Sequence, residues 1–532
     1  MPETPTFSSA AVAAPHQLAA ETGQVILAQG GNAVEAMIAM AATIAVVYPH
    51  MNGIGGDGFW LVREPGGRVR AFDAAGPAGS HATLKRYQAK GYDRVPPRGP
   101  DAALTVAGAV AGWGLAQDYA RSLGGNLPLD VLLADAIRHA RNGVPVSGSE
   151  GRYTLKEGEA LFAAPGFAAV FLEDGKRAPA GALRRNPALA ATLEQIAHAG
   201  VADFYRGDIA REIAADLERI GAPVLREDLK RFEARVVEPL SIRTRDATIF
   251  NLPPPTVGLA SLLILGIFDH LQGERGENAE HAHGLIEATK RAFAIRDRVV
   301  TDPRHLTHDP RAFLQAGVFE REAAQISMRR AAPFPLPKPV EGDTIWMGAI
   351  DGSGLAVSYI QSLFWEFGSG CVLPQTGILW QNRGTAFSLD PASRNPLEPG
   401  RKPFHTLNPA LAVFDDGRVM SYGTMGGEGQ PQFQAQIFTR YAEGGMGVAD
   451  AVDAPRWLLG KTWGAEAPTL KVENRFDEGI LADLARWGHH VEEIGKAYAD
   501  GMGHAGMLVK HRRNGRVEAT HDPRADGGAL GL

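Results

Sequence analysis

The chain has almost no cysteine: Cys371 stands alone among 532 residues. That excludes an internal disulfide and every paired-cysteine metal site. Its apolar company, Cys371-Val372-Leu373, marks the thiol as a small buried hydrophobe. Net charge is also scarce. Lys and Arg number 54 against 60 Asp and Glu, a balance of −6, so nothing in the charge favours nucleic acid as a partner. Long apolar runs are missing too. The longest stretch, residues 33–48, is broken by Glu35 and falls short of a membrane span. The opening Met-Pro-Glu-Thr-Pro has neither the basic start nor the apolar core of a secretory signal. The expectation is a cytoplasmic protein that needs no membrane. What the chain does have is 45% hydrophobic and 21% charged residues, the balance of a globular fold large enough to be stable without disulfides or metals.

Residues 17–29 read as a helix ended by Gly30-Gly31, and Asn32 as the N-cap of a second helix over 33–47 that Pro49 stops. The loop Gly53-Ile54-Gly55-Gly56-Asp57-Gly58 fits G-x-G-x-x-G to the letter. A dinucleotide loop must follow a strand and open a helix. Here the order is helix, loop, then apolar strands at 59–63 and 69–72, so the glycines are read as permitting close backbone packing, and no cofactor is expected. From Leu104 to about Arg330 the pattern is mostly helical, interrupted by the extended loop Asn251-Leu-Pro-Pro-Pro-Thr-Val-Gly258. His281 and His283, two apart on a helix, do not share a face, and no metal is expected. Residues 331–343 carry four prolines and read as an extended, exposed link. Beyond it strands dominate, at 344–350 and 355–361 around Asp351-Gly352-Ser353-Gly354, with hairpins at Asp415-Asp416-Gly417 and Asn514-Gly515. Helices near 429–443, 447–454 and 476–487 lie between the last two. Strands and helices on both sides of the link point to one intertwined α+β globule.

Several short motifs recur in a fixed order: Gly30-Gly-Asn-Ala-Val-Glu-Ala36, Pro49-His-Met-Asn-Gly-Ile-Gly-Gly-Asp-Gly-Phe59, the Pro253-Pro-Pro-Thr loop, the helix Glu287–Asp297, Gly342-Asp343-Thr344, Phe367-Gly-Ser-Gly370, Gly426-Gly427 and Asp522-Pro-Arg-Ala-Asp526. Each is weak alone; together, across nearly the whole chain, they resemble the γ-glutamyltransferase family. The resemblance implies a four-layer αββα sandwich of the N-terminal-nucleophile hydrolase type. It implies a precursor that cleaves its own Asp343–Thr344 bond into a large chain, 1–343, and a small chain, 344–532, which stay associated. A homo-oligomer of that cleaved pair is left open. Thr344 is then the catalytic nucleophile, Ser362 carries a hydroxyl that orients it, and Gly426 and Gly427 supply the oxyanion hole. The chemistry is coherent. A threonine hydroxyl needs a neighbouring base, and the amine freed by cleavage, with a pKa of about 7.7–8.0, suits that task. Each oxyanion donor contributes about 3–4 kcal/mol to the transition state.

Departures from the family narrow the substrate. The arginine that grips a γ-glutamyl carboxylate aligns with Asp73, and the asparagine and acidic residue on the ammonium side align with Phe364 and Ala386. A negative Asp73 repels a carboxylate, and a zwitterion left unpaired in a closed pocket costs several kcal/mol. In their place stand Arg383, His405 and Thr406, with Phe364 and Trp365 narrowing the pocket. An arginine fork suits a single carboxylate, and the set Trp380-Gln-Asn-Arg383 and Phe404-His-Thr-Leu-Asn-Pro409 is similar to that of the oxamate amidohydrolases within the family. The expectation is an autoprocessing amidohydrolase that turns a small carboxylate amide, oxamate, into oxalate and ammonia. A γ-glutamyl hydrolase or transferase acting on glutathione, a β-lactam side-chain acylase, and an unprocessed non-catalytic relative remain the alternatives.

Overall fold

The helix Ala33–Val47 starts where Asn32 dictates. Its side chain accepts from the N–H groups of Val34 and Glu35, and Glu35 returns a bond to the Asn32 N–H, a capping box. Every residue of this helix is buried, which explains an apolar pattern that runs all round rather than along one stripe. It packs between the helices Gln17–Ala28 and Leu129–Asn142. The computed structural model describes residues 3–156, 158–334, 343–460 and 469–532. No helix among them is long and apolar enough to cross a membrane.

Among the described residues, two seven-stranded sheets dominate. The first orders Gly528–Gly531, Ala11–Ala14, Asp343–Ile350, Ala356–Phe364, Asp57–Arg63, Val69–Ala74 and Arg235–Val237. The second orders Thr6–Phe7, Val517–His521, Ala505–Lys510, Val419–Thr424, Ala410–Phe414, Ala247–Asn251 and Leu240–Arg243. All neighbours in both sheets are antiparallel.

Strand alternation sets the layers. Trp346 and Ile350 enter an apolar core between the sheets with Phe59, Ile360, Leu411 and Leu508. Their strand neighbours Ile345, Met347 and Ala349 face the helices that cover the first sheet. Helices Gly258–Asp269, Ala279–Val299 and Gln430–Ala442 cover the second. The result is the expected four-layer αββα sandwich.

Besides four two-residue strands among the described residues, Arg235–Val237, Leu240–Arg243 and Ala247–Asn251 lie inside the stretch read as mostly helical and join the two large sheets. Their signal is short: Leu240 and Ile242 are buried, Ser241 and Arg243 exposed. The proline-rich link falls largely outside the described residues. At its end the expectation of an exposed peptide fails. Asp343 already pairs with Phe364, and Thr344 is 2% exposed, because strand pairing begins there and the second sheet covers that face.

Candidate active site

Thr344 sits where strand register breaks. Asp343 pairs with Phe364 and Ile345 with Gln361, so Ser362 and Leu363 together oppose Thr344 in a β-bulge. By alternation Thr344 shares the intersheet face of Trp346 and Gly348. A Cβ on Gly348 would meet Leu508, and a Cβ on Gly423 or Gly506 would fall 2.2 Å from the Trp346 ring. The strand Val419–Thr424, which carries Gly423 against Trp346, runs on into Met425-Gly426-Gly427. Gly426 and Gly427 take φ of 119° and 51°, a left-handed path that only glycine follows freely. A Cβ on Gly426 would meet the Phe433 ring at 2.9 Å. Ser362 is buried, and its Oγ accepts the Phe364 N–H at 2.8 Å. Phe364 itself is held at φ 85°, a strained setting for a bulky residue that turns its ring under Arg383, 3.9 Å from Cζ.

Arg383 opens the short turn Arg383–Ala386 and is 1% exposed. Its Nε donates to His405 Nδ1 at 3.0 Å and its Nη2 to Thr406 Oγ1 at 3.1 Å. Its Nη1 has no hydrogen-bond partner among the described residues. Because Nδ1 accepts, the neutral His405 ring carries its proton on Nε2, which lies 3.4 Å from Asp57 Oδ2. The same ring meets Phe59 edge-on, centroids 5.1 Å apart. Asp57 Oδ1 accepts from the N–H groups of Gly76 at 2.9 Å and Gly108 at 3.2 Å and from Gln381 Nε2 at 3.2 Å. Asp57 Oδ2 and His405 Nε2, like Arg383 Nη1, make no hydrogen bond among the described residues. Burial pushes the Asp57 carboxyl up to about 7, against the pull of the Gly76 and Gln381 donors and of the Arg383 and Lys402 charges. Burial pulls the Arg383 guanidinium down, opposed by Asp57. His405 is held neutral, well below its ordinary value, by burial and by Arg383 and Lys402.

Arg383, His405, Thr406 and Phe364 thus come together, with a change of roles. His405 and Thr406, expected against the substrate, hold Arg383. Asp73, expected as a bare negative charge, is bound by Lys402 Nζ at 2.6 Å and the Ala75 N–H at 3.0 Å. It is therefore compensated, and it faces a cleft of about 410 Å³ that Arg235, Asp302 and Arg304 also line. Asp57 was read only as part of a packing loop. The packing is real, since a Cβ on Gly55 or Gly56 would fall 2.2 Å and 2.1 Å from the carbonyl oxygens of Leu379 and Ser362. The signal passed over was an aspartate opening a strand whose other residues, from Gly58 to Val62, are all buried.

Away from this centre, His281 Nε2 meets Thr439 Oγ1 at 2.9 Å while His283 Nδ1 meets His489 Nε2 at 2.8 Å, so the two helix histidines do face different partners. His283, Glu287 and His489 lie close enough to share a cation. Lys290 Nζ already sits 2.7 Å from Glu287 Oε1, so a divalent ion would be added to an ammonium that the carboxylate neutralises. Cys371 is fully buried, and burial pushes its thiol up to about 12, as expected of a packing residue.

Comparison with known proteins agrees with this geometry. A family model described as gamma-glutamyltranspeptidase matches residues 19–532. The oxamate amidohydrolase proenzyme of Klebsiella pneumoniae is 50% identical over 519 residues, 97% of each chain. The glutathione hydrolase-like proenzyme of Bacillus subtilis is 39% identical over 98% of each. The crystal structure of a cephalosporin acylase from Bacillus halodurans superposes with a TM-score of 0.90 at 31% identity, covering 100% of this chain and 97% of that one. The chain belongs to the gamma-glutamyltranspeptidase family and is an amide hydrolase of its N-terminal-nucleophile type.

Proposed function

We propose that this protein matures by cutting its own Asp343–Thr344 bond, and that the processed pair of chains hydrolyses a small amide bearing one carboxylate, with oxamate as the model substrate. The observation that carries the substrate class is the orphaned Nη1 of Arg383, a buried guanidinium nitrogen left without a partner among the described residues. Leaving such a donor unmet costs about 1–3 kcal/mol or more, and a substrate carboxylate removes that cost while accepting a charge-assisted bond. A relative 50% identical over 97% of each chain is named for oxamate, which supports the same size and charge.

In maturation the Thr344 hydroxyl attacks the Asp343 carbonyl, the acyl group moves from nitrogen to oxygen, and water hydrolyses the ester, leaving a free Thr344 amine. That amine then takes the hydroxyl proton as Thr344 Oγ attacks the substrate amide carbon. The N–H groups of Gly426 and Gly427 hold the oxyanion. The proton passes to the leaving nitrogen, ammonia departs, and water cleaves the acyl-enzyme to give the second carboxylate. Ser362 orients Thr344 across the bulge.

Thr344→Ala tests the mechanism: a denaturing gel should show one full-length band, and ammonia release from oxamate should vanish. A variant that still splits or turns over would remove Thr344 from the role. Oxamate, glutathione and a glutaryl amide assayed side by side test the substrate. Oxamate should lead. Glutathione leading would return the site to γ-glutamyl chemistry.

A further inference from the structure

The residues around Arg383 hold a second acid–base element besides Thr344. Asp57, His405 and Arg383 lie in sequence: Arg383 Nε donates to His405 Nδ1, and the opposite ring nitrogen, which carries the proton, lies 3.4 Å from Asp57 Oδ2 without a hydrogen bond between them. All three residues are at most 1% exposed. Each has one polar atom without a hydrogen bond among the described residues, Arg383 Nη1, His405 Nε2 and Asp57 Oδ2. Asp57 also lies beside the reacting centre, because it pairs in register with Ser362.

Charge conservation in a dry site gives this chain a function. With Asp57 ionised and Arg383 charged, the empty pocket is neutral. A substrate carboxylate docking on Arg383 would leave a net negative charge in low dielectric, at a cost of several kcal/mol. A proton on Asp57 restores neutrality. The groups facing Asp57 leave it as the acceptor of that proton. Arg383 is already charged. Lys402 is held by Asp73. His405 is kept neutral by burial and its cationic neighbours. The Tyr205 and Tyr359 hydroxyls are pushed up by burial, out of the range in which they could ionise. Burial has already brought Asp57 to about 7, so near neutral pH the proton is taken up at little cost.

We propose that Asp57 is a specificity-determining positioning residue: it holds the His405–Arg383 clamp and takes up one proton each time the clamp receives a carboxylate, which restricts the site to monocarboxylate ligands. A second carboxylate would find no free cation, and a dicarboxylate product is expelled. The inference rests on Arg383 being the carboxylate grip, and its test separates the two.

The processed wild-type enzyme is titrated calorimetrically with pyruvate, a monocarboxylate that carries a methyl where oxamate carries its amide nitrogen, in two buffers of different ionisation enthalpy. Binding should take up close to one proton at pH 8.5 and close to none at pH 5.5, where Asp57 is already protonated. In steady state the KM for oxamate should rise by about tenfold per pH unit above neutrality, and Asp57→Asn should flatten that slope while kcat keeps its own profile. Oxalate should inhibit at least tenfold more weakly than pyruvate at pH 8.5. If Arg383→Ala leaves pyruvate binding unchanged, the carboxylate grip itself is wrong. If Arg383→Ala abolishes binding but the wild type takes up no proton at pH 8.5, or Asp57→Asn keeps the uptake, the grip stands and the role of Asp57 falls. No uptake in the wild type overturns the role without any variant; uptake counts for Asp57 only where Asp57→Asn removes it, because the free Thr344 amine, at about 7.7–8.0, can also take a proton at pH 8.5.

Discussion

Arg456 and Arg383 are both buried guanidiniums beside buried aspartates in one sandwich, and they are furnished in opposite ways. Arg456 donates to the carbonyls of Val452 at 2.6 Å, Met502 at 2.9 Å and Gly503 at 2.8 Å, and meets Asp522 at 2.5 Å. Asp522 also accepts from the Ala505 and Arg524 N–H groups and from Arg524 Nη1, while Arg524 forks onto Glu473. Burial opposes ionisation of Asp522, yet Arg456 and Arg524 hold its carboxyl well below the usual range. At the other centre Arg383 touches no carboxylate directly, and Asp57 is pushed up by burial instead. The motif Asp522-Pro-Arg-Ala-Asp526 is thus structural, a knot in which carboxylate and guanidinium are directly paired, with Arg456 Nε left unbonded among the described residues. In the Asp57–Arg383 pair the carboxylate oxygen and the guanidinium nitrogen are both left unbonded among the described residues.

The largest expected effect breaks the directly paired knot. Asp522→Ala leaves Arg456 and Arg524 without their shared counter-ion, and removing one partner of a buried pair costs about 3–5 kcal/mol. The apparent melting midpoint and the yield of soluble protein should both drop sharply. Arg383→Leu should cost far less stability, because the abandoned Asp57 can keep its proton. Equal losses in the two variants, measured by thermal unfolding at pH 7, would erase the distinction between the clusters.

The two clusters also differ in how far the sequence discloses them. Thr344, Ser362, Gly426 and Gly427 are legible through motif order, and Arg383, His405 and Thr406 through their departure from the family's pattern. The helix Ala33–Val47 is legible through its Asn32 cap and the Pro49 stop. Three things are not. The short strand Ala11–Ala14 and the edge strand Gly528–Gly531 are made mostly of small residues with no alternation to read. The compensation of Asp73 by Lys402 joins residues 329 positions apart. Asp57 is hidden because its neighbours are glycines, whose packing role is a sufficient local explanation. In each case the deciding contact comes from a distant segment, which periodicity cannot see.

A gentler change probes the same guanidinium without removing its charge. Arg383→Lys keeps a cation but loses the planar fork that reaches His405, Thr406 and the open position at once. The KM for oxamate should rise by roughly tenfold to a hundredfold, about 1.4–2.8 kcal/mol, with kcat reduced far less and processing intact on a denaturing gel. A collapse of kcat at constant KM would mean that Arg383 serves Thr344 rather than the substrate.

The smallest effect is the sharpest on the comparison, because it has opposite signs at the two aspartates. Burial raises the Asp57 carboxyl in the folded protein from the ordinary aspartate value of 3.8 to about 7. Between these values the folded protein keeps a proton that the unfolded chain has released, so this group loses stability for the fold as pH rises from about 4 to about 7. Asp57→Asn removes that loss. It should raise the apparent midpoint at pH 8, by on the order of 1–3 kcal/mol in stability, and leave it near the wild type at pH 4. Asp522 is depressed below 3.8, so its contribution is present above about pH 4 and disappears as pH falls through its folded value. Asp522→Asn should therefore destabilise at pH 8 and converge on the wild type only in acid. Across pH 4–8 the Asp57→Asn midpoint should rise progressively above the wild type, while the Asp522→Asn midpoint stays below it by a nearly constant amount that shrinks only under pH 4. Two curves that fall together would mean that the Asp57 carboxyl is as fully paired as that of Asp522, and that its orphaned oxygen is no vacancy for a ligand's charge.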